Sequence, residues 1–328
     1  MRVVLVGAGR AGANHASHLF PGEFAGVYDS DVGAARGLAE RHGTTAFPSL
    51  EAGLEAAEAV VVSTPTFTHC ELAVAAARAG RHVLCEKPMA LDEAECEAMI
   101  GAAREAGVVL QIGFMRRFQP EFAEARRRIA AGDIGEPMVL KSLTRGPGLP
   151  PPWAWEIERS NGMLAEVNSH DFDSVRWLAG SDIVRVYAET ANRKGAARGV
   201  EAEGFYDNVV VTLRFASDAI GTIDGTCPAD YGYDARMEVV GSEGLLIVGD
   251  VRGQALLEVR DRDVGVVTPT HRTWPQRFEA GYRAQMRAFL EAADAGAEPA
   301  VTGADGLAAV RAVRAANRSW REQVPVAL

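Results

Sequence analysis

The chain has 328 residues, which is enough for two domains at the usual size of about 150 residues each. Hydrophobic residues make up 48% and charged residues 24%, so the composition is that of a globular protein with a real core, not of a disordered or fibrous chain. The formal net charge is -10 and the basic residues form no tail or long cluster, which argues against a nucleic-acid or anionic-membrane partner.

Up to about residue 113, short apolar runs alternate with Ala-rich helical stretches, which is typical of a parallel sheet with crossover helices. The candidate strands cover residues 3–6, 24–28, 59–63, 82–85 and 108–112. The stretches 69–79 and 92–106 are rich in strong helix formers, and Asp92 is a suitable N-cap. Residues 1–120 are therefore predicted to form an α/β, doubly wound Rossmann domain with six short parallel strands.

From about residue 120 the pattern changes to a basic helix at 120–131 followed by longer alternating runs. These runs cover residues 138–144, 184–190, 205–215, 219–226 and 235–240. They predict that residues 121–328 form an α+β domain with a large, mostly antiparallel sheet, one face of which is open, polar or covered by a partner. The Pro-rich stretch 146–152 is predicted to be a loop. The last fifty or so residues are predicted to be helical, behind a Thr302 cap.

Cysteine spacing and hydropathy indicate a reducing environment away from membranes. The four cysteines, at positions 70, 85, 96 and 227, form no C-x-x-C pair and have no histidine at metal-ligand spacing, so the sequence predicts neither a metal site nor disulfides. No run of about 18 apolar residues is present, and the first residues lead directly into a strand without the features of a signal peptide. The expected location is the cytoplasm.

A glycine-rich turn follows the first predicted strand. Gly7, Gly9 and Gly12 form a G-x-G-x-x-G motif directly before a helix, where glycines permit a tight turn and close approach of a pyrophosphate to the backbone. Asp29 ends the second strand about 20 residues later, where an acid can accept hydrogen bonds from ribose hydroxyls. A carboxylate there repels a ribose phosphate, which favours NAD over NADP. The alternative is that the glycines only form a turn and Asp29 only caps a helix.

Lys87 lies immediately after the predicted strand 82–85, at the carboxyl edge where open α/β sheets bind their ligands. A lysine at this edge can donate a hydrogen bond to a substrate oxygen and stabilise a developing alkoxide. The alternative is a surface lysine paired with a nearby acid.

Glu166 and His170 are four residues apart and share a helix face if the helix has begun by Glu166. A carboxylate raises the basicity of an adjacent imidazole, which is the usual side chain for taking a hydroxyl proton. The alternative is a helix start capped by Asn168 or Ser169, with His170 buried in the core. His15 and His18 are predicted to be packing or capping residues.

Several motifs together resemble the glucose-fructose oxidoreductase and inositol dehydrogenase family, called Gfo/Idh/MocA. They are the glycine loop with Asp29, the Ser63-Thr64-Pro65 stretch followed by His69, the run from Ala79 to Pro88 that contains Glu86-Lys87-Pro88, and the segment 113–118. The match continues through the His170 segment, residues 237–244 and residues 289–326, so it covers essentially the whole chain. It implies a nicotinamide-dependent enzyme for sugars, sugar derivatives or cyclitols, whose C-terminal sheet mediates dimers or tetramers.

The motifs, the residue types and the resemblance together predict roles for individual residues. The expected cofactor contacts are Gly7, Gly9, Arg10, Ala11, Gly12, Asp29, Thr64, Pro65, His69, Glu86 and Lys87. The expected catalytic residues are Lys87, His170 and Glu166, and the expected substrate contacts are Lys87, Arg117, Trp153, Asn168, His170, Asp173 and Tyr233. Glu166 departs from the aspartate that the family usually has four residues before the histidine. It either preserves the relay with a shifted geometry or marks a subfamily with a different substrate.

The sequence therefore predicts an NAD-dependent dehydrogenase that oxidises a secondary hydroxyl of a sugar, amino sugar or cyclitol. His170 would be the acid/base and Lys87 would stabilise the substrate oxygen. The acid-rich stretch 156–173 favours a neutral or amino-bearing substrate over a sugar nucleotide. Two alternatives stay open, namely an NAD(P)H-dependent keto-sugar reductase, including one for nucleotide sugars, and a non-catalytic regulatory protein that binds nucleotides. The expected partner is a second copy of the chain, in a homodimer or homotetramer formed through the C-terminal sheet.

Overall fold

The chain forms two units in a computed structural model that describes residues 1–20, 22–250, 258–259, 266–267 and 270–328. The first unit consists of residues 1–118 together with 280–310, and the second consists of 119–279 together with 311–328. Residues 280–310 thus pack with the N-terminal unit, whereas the sequence analysis assigned them to the C-terminal domain.

The first unit is built on a six-stranded sheet whose described strand pairs are all parallel. Its strands are β1 Val3–Val6, β2 Phe24–Tyr28, β3 Thr45–Ala46, β4 Ala59–Val62, β5 His82–Cys85 and β6 Leu110–Ile112. They lie in the order β3-β2-β1-β4-β5-β6, so the direction of winding reverses between β1 and β4. The predicted parallel sheet is confirmed. The two-residue β3 had no apolar run to reveal it.

Helices and helical turns connect these strands. They are α1 Arg10–Ala16, α2 Val32–His42, α3 Leu50–Glu55, the 3-10 turn Thr66–Thr68, α4 His69–Arg78, α5 Glu93–Ala106 and the 3-10 turn Met115–Phe118. The predicted cap at Asp92 is confirmed, because its carboxylate accepts the backbone N–H of Glu95 at 2.9 Å.

Each face of the first sheet carries its own hydrophobic core, and residues from 280–310 enter both. Val301 and Val310 pack in the core that contains Val4 and Val60. Met286, Phe289 and Leu290 pack in the opposite core, which contains Val3, Leu5 and Val61. The C-terminal segment therefore contributes to the burial of both faces of the N-terminal sheet.

The second unit contains a seven-stranded mixed sheet. Its strands are β7 Pro137–Arg145, β8 Ile183–Ala191, β9 Asn208–Phe215, β10 Ile220–Thr226, β11 Asp234–Gly241, β12 Leu245–Val248 and β15 Val326–Ala327. Two further strands, β13 Glu258–Val259 and β14 Val266–Val267, form a separate antiparallel pair. The order is β12-β11-β7-β10-β9-β8-β15. Only the β7 and β10 pair is parallel among the described pairs of this sheet, which confirms the mostly antiparallel prediction.

The remaining helices are α6 Pro120–Ala130, α7 Ile157–Ser160, α8 Gly162–Glu166, α9 Ser169–Ala179, α10 Lys194–Ala197, α11 Trp274–Ala295 and α12 Gly303–Glu322, with a 3-10 turn at Pro152–Trp155. Helix α11 is kinked at Phe278. Thr302 caps α12 as predicted, since its hydroxyl accepts the N–H of Asp305 at 3.2 Å. Among the helices that the structure describes, none is both long enough and apolar enough to cross a bilayer.

Candidate active site

The three glycines of the loop between β1 and α1 differ in the space around them. Gly7 has φ +106°, and a Cβ there would lie 2.8 Å from the carbonyl carbon and oxygen of Ser63. A Cβ on Gly12 would overlap the carbonyl oxygen of Gly7. A Cβ on Gly9, in contrast, would meet no atom within 4 Å. Gly7 and Gly12 therefore shape the loop, while Gly9 leaves its outer side open to a close-lying group.

The open side of this loop fits a dinucleotide. Gly9 is the N-cap of α1 and provides no side-chain cap to the first N–H groups of the helix, and such groups attract phosphates. Arg10 and Ala11 form the first two positions of α1. The residues of the loop would hold the pyrophosphate of NAD or NADP through backbone donors.

Asp29 lies at the end of β2 and braces the glycine loop. Its Oδ2 accepts the N–H of Ala8 at 2.6 Å, and its Oδ1 accepts the N–H of Asp31 at 2.8 Å. Ser30 Oγ adds a longer contact to Oδ1 at 3.5 Å. A carboxylate has about four acceptor positions, so capacity is left for a ribose hydroxyl.

His69 connects two loops at the carboxyl edge of the sheet. Its Nε2 lies 2.8 Å from the carbonyl oxygen of Thr64, and its Nδ1 lies 2.9 Å from that of Pro88. The ring is buried, and desolvation lowers the pKa of His69. Both ring nitrogens thus contact protein carbonyls, and the ring ties the Thr64-Pro65 turn to the turn that carries Lys87. The predicted cofactor contact of His69 stays a prediction.

Lys87 follows β5 and is half-buried, next to a buried Glu86. Glu86 Oε1 lies 2.7 Å from Nε2 of His15, and Oε2 accepts the N–H of Lys87 at 3.0 Å. Burial alone would raise the pKa of Glu86, but the His15 hydrogen bond and the charge of Lys87 keep that pKa below its usual value. Sequence reasoning missed the role of His15, because no local pattern links residues 71 positions apart.

Cys85 immediately precedes this pair and is buried. Burial raises the pKa of its thiol well above 9.0, so the side chain is a thiol and not a nucleophilic thiolate at neutral pH.

Glu166 and His170 belong to two different helices of the second unit. Glu166 is the last residue of α8, His170 is the second residue of α9, and Val167 and Asn168 separate the two helices. The continuous helix needed for a shared face is therefore not formed. Glu166 is half-buried and His170 is buried. The functional relay between them stays a prediction.

A buried carboxylate directly follows His170 and holds the start of α9. Asp171 accepts hydrogen bonds from Ser142 Oγ at 2.6 Å, Thr144 Oγ1 at 2.7 Å and Asn168 Nδ2 at 2.8 Å. Ser142 and Thr144 lie on β7, so the network fixes α9 to the sheet. Asn168 donates its amide N–H to Asp171, and its predicted contact with substrate stays a prediction. The alternation of β7 placed both hydroxyls on one face, but nothing in the sequence indicated that Asp171 faces them.

The other predicted substrate contacts differ in their burial and in their partners within the protein. Arg117 is buried in the first unit, with Nη2 3.0 Å from Asp305 Oδ1 and Nη1 3.5 Å from the carbonyl oxygen of Ala300. The buried ring of Tyr233 packs edge-on against Phe278, with centroids 6.0 Å apart. Asp173 is buried in α9, and Trp153 is half-buried in the turn after the Pro-rich loop. Arg117 and Tyr233 thus have structural partners that their local sequence did not reveal.

No metal site accompanies these residues within the described part of the chain, because His, Cys, Asp and Glu side chains do not gather there in groups of three or more that could hold an ion.

Comparison with known proteins agrees with both halves of this architecture. Residues 1–114 match a family described as "Oxidoreductase family, NAD-binding Rossmann fold". Residues 122–247 match the GFO/IDH/MocA C-terminal domain.

Relatives match along the full length. A scyllo-inositol 2-dehydrogenase (NAD(+)) of Bacillus subtilis is 33% identical over 340 residues, covering 100% of this chain and 96% of the relative. A myo-inositol 2-dehydrogenase of Thermotoga maritima is 34% identical over 344 residues, covering 100% and 98%. The crystal structure of a myo-inositol dehydrogenase from Corynebacterium glutamicum superposes with a TM-score of 0.89 at 28% identity, covering 100% and 98%. The chain therefore belongs to the Gfo/Idh/MocA family of NAD(P)-binding oxidoreductases, and it is an inositol dehydrogenase-like enzyme that acts on CH–OH groups.

Proposed function

We propose that this enzyme is an NAD-dependent dehydrogenase of a cyclitol or a closely similar sugar or amino sugar, and that it oxidises one secondary ring hydroxyl. The observation that carries the proposal is the Glu86-Lys87-Pro88 turn, held at the carboxyl end of β5 in a sheet whose glycine loop fits a dinucleotide. The inositol dehydrogenase names of two full-length relatives support the substrate class.

The proposed chemistry gives separate roles to the cofactor and to three side chains. NAD, when bound, supplies the hydride acceptor. His170 takes the proton of the substrate hydroxyl as general base, and Lys87 donates a hydrogen bond to the same oxygen as negative charge develops on it. Glu166 keeps its proposed part in the relay with His170, although the two residues lie on different helices. Reversal of these steps reduces the corresponding ketone, so the same residues serve the alternative reductase direction.

Asp29 supports NAD as the cofactor over NADP. A phosphate on the ribose 2′ oxygen would approach a carboxylate that the N–H groups of Ala8 and Asp31 already hold in place, and it would meet like charge there. We expect Asp29→Ser to weaken NAD binding in calorimetric titrations and to reduce the preference for NAD over NADP. An unchanged preference would remove this argument.

A glycine pair tests the cofactor site. Gly9→Ala adds a methyl group where the protein has room, so the fold should be unaffected while NAD binding weakens. Gly12→Ala places a methyl group against the Gly7 carbonyl and should destabilise the loop itself. Thermal melts of the free protein, read beside NAD titrations, separate the two effects. Unchanged NAD affinity in Gly9→Ala would contradict the proposed site.

The activity test is NAD reduction followed by absorbance, with myo-inositol, scyllo-inositol, aldoses, amino sugars and aminocyclitols as substrates. We expect a cyclitol to react and His170→Ala to lower kcat by at least ~100-fold, with NAD affinity unchanged. The control is His42→Ala, which removes an exposed imidazole at the end of α2 and should keep full activity. Turnover that survives in His170→Ala would refute the assigned base.

We also propose that two copies associate through the outer face of the second sheet. The strand register aligns Leu245, Val240, Val139 and Ile220 as an apolar row across four strands. Leu245 is 49% and Ile220 44% exposed, and Lys141 pairs with Glu238 beside the row at 2.7 Å. Light scattering on Ile220→Asp should show a smaller assembly than wild type, whereas an unchanged mass would contradict this face.

A further inference from the structure

Glu86 lies between groups from three elements, which together leave its carboxylate one well-defined position. His15 of α1 contacts Oε1, the N–H of Lys87 contacts Oε2, and Gly113 lies against the other side. A Cβ at position 113 would be 3.1 Å from Oε2. Two hydrogen bonds therefore hold the carboxylate of Glu86, and position 113 has no room for a side chain beside it.

His15 is itself fully buried and held in place by an aromatic neighbour. Its ring meets the edge of Tyr282 at a centroid distance of 5.5 Å and an interplanar angle of 83°. Because Glu86 is a carboxylate, Nε2 of His15 donates the 2.7 Å hydrogen bond. His15 belongs to α1, which starts at the glycine loop, so one hydrogen bond joins the dinucleotide-binding helix to the turn that carries Lys87.

We propose that His15 is a positioning residue for the reaction: through Glu86 it fixes the Lys87–Pro88 turn and couples that turn to the helix of the dinucleotide site. The inference rests on the proposed function only in taking Lys87 to contact the substrate oxygen. His69 supports the other end of the same turn through the Pro88 carbonyl, so the turn is held from both sides.

The charge on Glu86 depends on this arrangement. The titratable groups that act on it or feel it are His15, Lys87, His69 and Cys85. Removing the imidazole of His15 leaves a buried carboxylate with one donor fewer, and burial then favours its protonation or displacement. Protonation or displacement of Glu86 would each change the electrostatic surroundings of the Lys87 ammonium, although His15 itself contacts no substrate.

Kinetics of matched variants test the coupling. We expect His15→Leu to lower kcat about 10- to 100-fold, as displaced catalytic groups typically do, with little change in the KM for the cyclitol. His15→Gln, whose amide can reach the position of Nε2, should recover most of kcat, whereas the shorter His15→Asn should not. The control is His18→Phe, which keeps a ring stacked on Tyr282. The double variant His15→Leu/Glu86→Gln should cost no more than the worse single variant, since both act through one carboxylate.

A spectroscopic measurement tests the same inference without turnover. The chain has three lysines, Lys87, Lys141 and Lys194, so labelling lysine with 13C at Cε gives three signals, and Lys87→Met identifies that of Lys87. In His15→Leu we expect the Lys87 signal to move. The signals of Lys141 and Lys194, which pair with Glu238 and Asp230, should stay in place.

The outcomes separate the two proposals. Wild-type protein that reduces NAD with none of the substrates contradicts the proposed function, while the lysine spectrum still tests the coupling. Wild-type activity together with an unmoved Lys87 signal, or with full kcat in His15→Leu, overturns the role of His15. Equal losses in His15→Gln and His15→Leu would also overturn it, because the hydrogen bond would then not be the cause.

Discussion

Removal of the Asp171 carboxylate should destabilise the second unit far more than a single side chain ordinarily does. The carboxylate is fully buried and accepts bonds from Ser142, Thr144 and Asn168 at 2.6, 2.7 and 2.8 Å. Asp171→Ala leaves these three donors without their acceptor. A hydrogen bond to a charged group contributes about 1.5–3 kcal/mol, and breaking a buried charged network costs about 3–5 kcal/mol. Because two of the donors are hydroxyls that can rotate, we expect a loss of about 3–5 kcal/mol in the free energy of unfolding, not the full sum.

Asp171→Asn separates the loss of the charge from the loss of the hydrogen bonds. Asp171→Asn can keep its oxygen at the Oδ2 position, where Thr144 and Asn168 donate, and place its amide against Ser142. The Ser142 hydroxyl can turn to accept that amide, so only the charge is lost, at a cost of about 1–2 kcal/mol. The expected order of stability is therefore wild type, Asp171→Asn, Asp171→Ala.

The tryptophans make this measurement selective. All five lie in the second unit, at positions 153, 155, 177, 274 and 320, so the fluorescence change in urea reports on the unit that contains Asp171. The control is Asp182→Ala, which removes an exposed partner of Arg176 and should cost about 0.5 kcal/mol or less. Asp171→Ala and Asp182→Ala with equal unfolding midpoints would refute the stabilising role of the network.

Three further outcomes follow from the first unit. Burial would raise the pKa of Asp305, but Arg117 lowers it below 3.8, so the destabilisation caused by Asp305→Asn, followed by circular dichroism in urea, should be full above pH 3.8 and shrink as pH falls through the folded pKa. Native protein treated with a thiol reagent should react first at half-exposed Cys70, and Cys85 should react only after unfolding, as mass spectrometry of labelled peptides can show. Gly101→Ala, in α5 where an added Cβ meets nothing within 4 Å, should raise the unfolding free energy by about 0.5–1 kcal/mol in the same urea titration and leave kcat unchanged.

Local patterns predicted the strands, the caps and the glycine loop, because alternation, capping and tight turns depend on residues close together in the chain. The predicted strands 3–6, 24–28 and 82–85 agree with β1, β2 and β5 to the residue. Pairs distant in sequence were not predictable in this way. His15 forms a hydrogen bond with Glu86, which is 71 positions away in the chain. Arg117 forms an ion pair with Asp305, and no local sequence motif marks either residue as part of a pair.

The candidate site shows the same limit. The sequence predicts roles for Lys87, Asp29 and His170 from their places at strand and helix ends. It left open whether one helix runs from Glu166 to His170 or a new helix starts at Asn168 or Ser169, and the structure has the second arrangement. Nor did it show that Asn168 is used by Asp171, since a short polar side chain at a helix start fits a cap, a ligand contact and a buried network equally well.

The assignment of residues 280–310 to the N-terminal unit bears on how the protein is made. A nascent chain that has left the ribosome as far as residue 118 has all six strands of the first sheet but lacks Met286, Phe289, Val301 and Val310, which complete the cores on its two faces. The first unit therefore becomes complete only after residues 119–279 of the second unit have been made, and until then part of its apolar surface lacks the residues that pack against it. The two units are thus interleaved along the chain, and we expect a fragment that ends at residue 118 to aggregate more readily than the full chain.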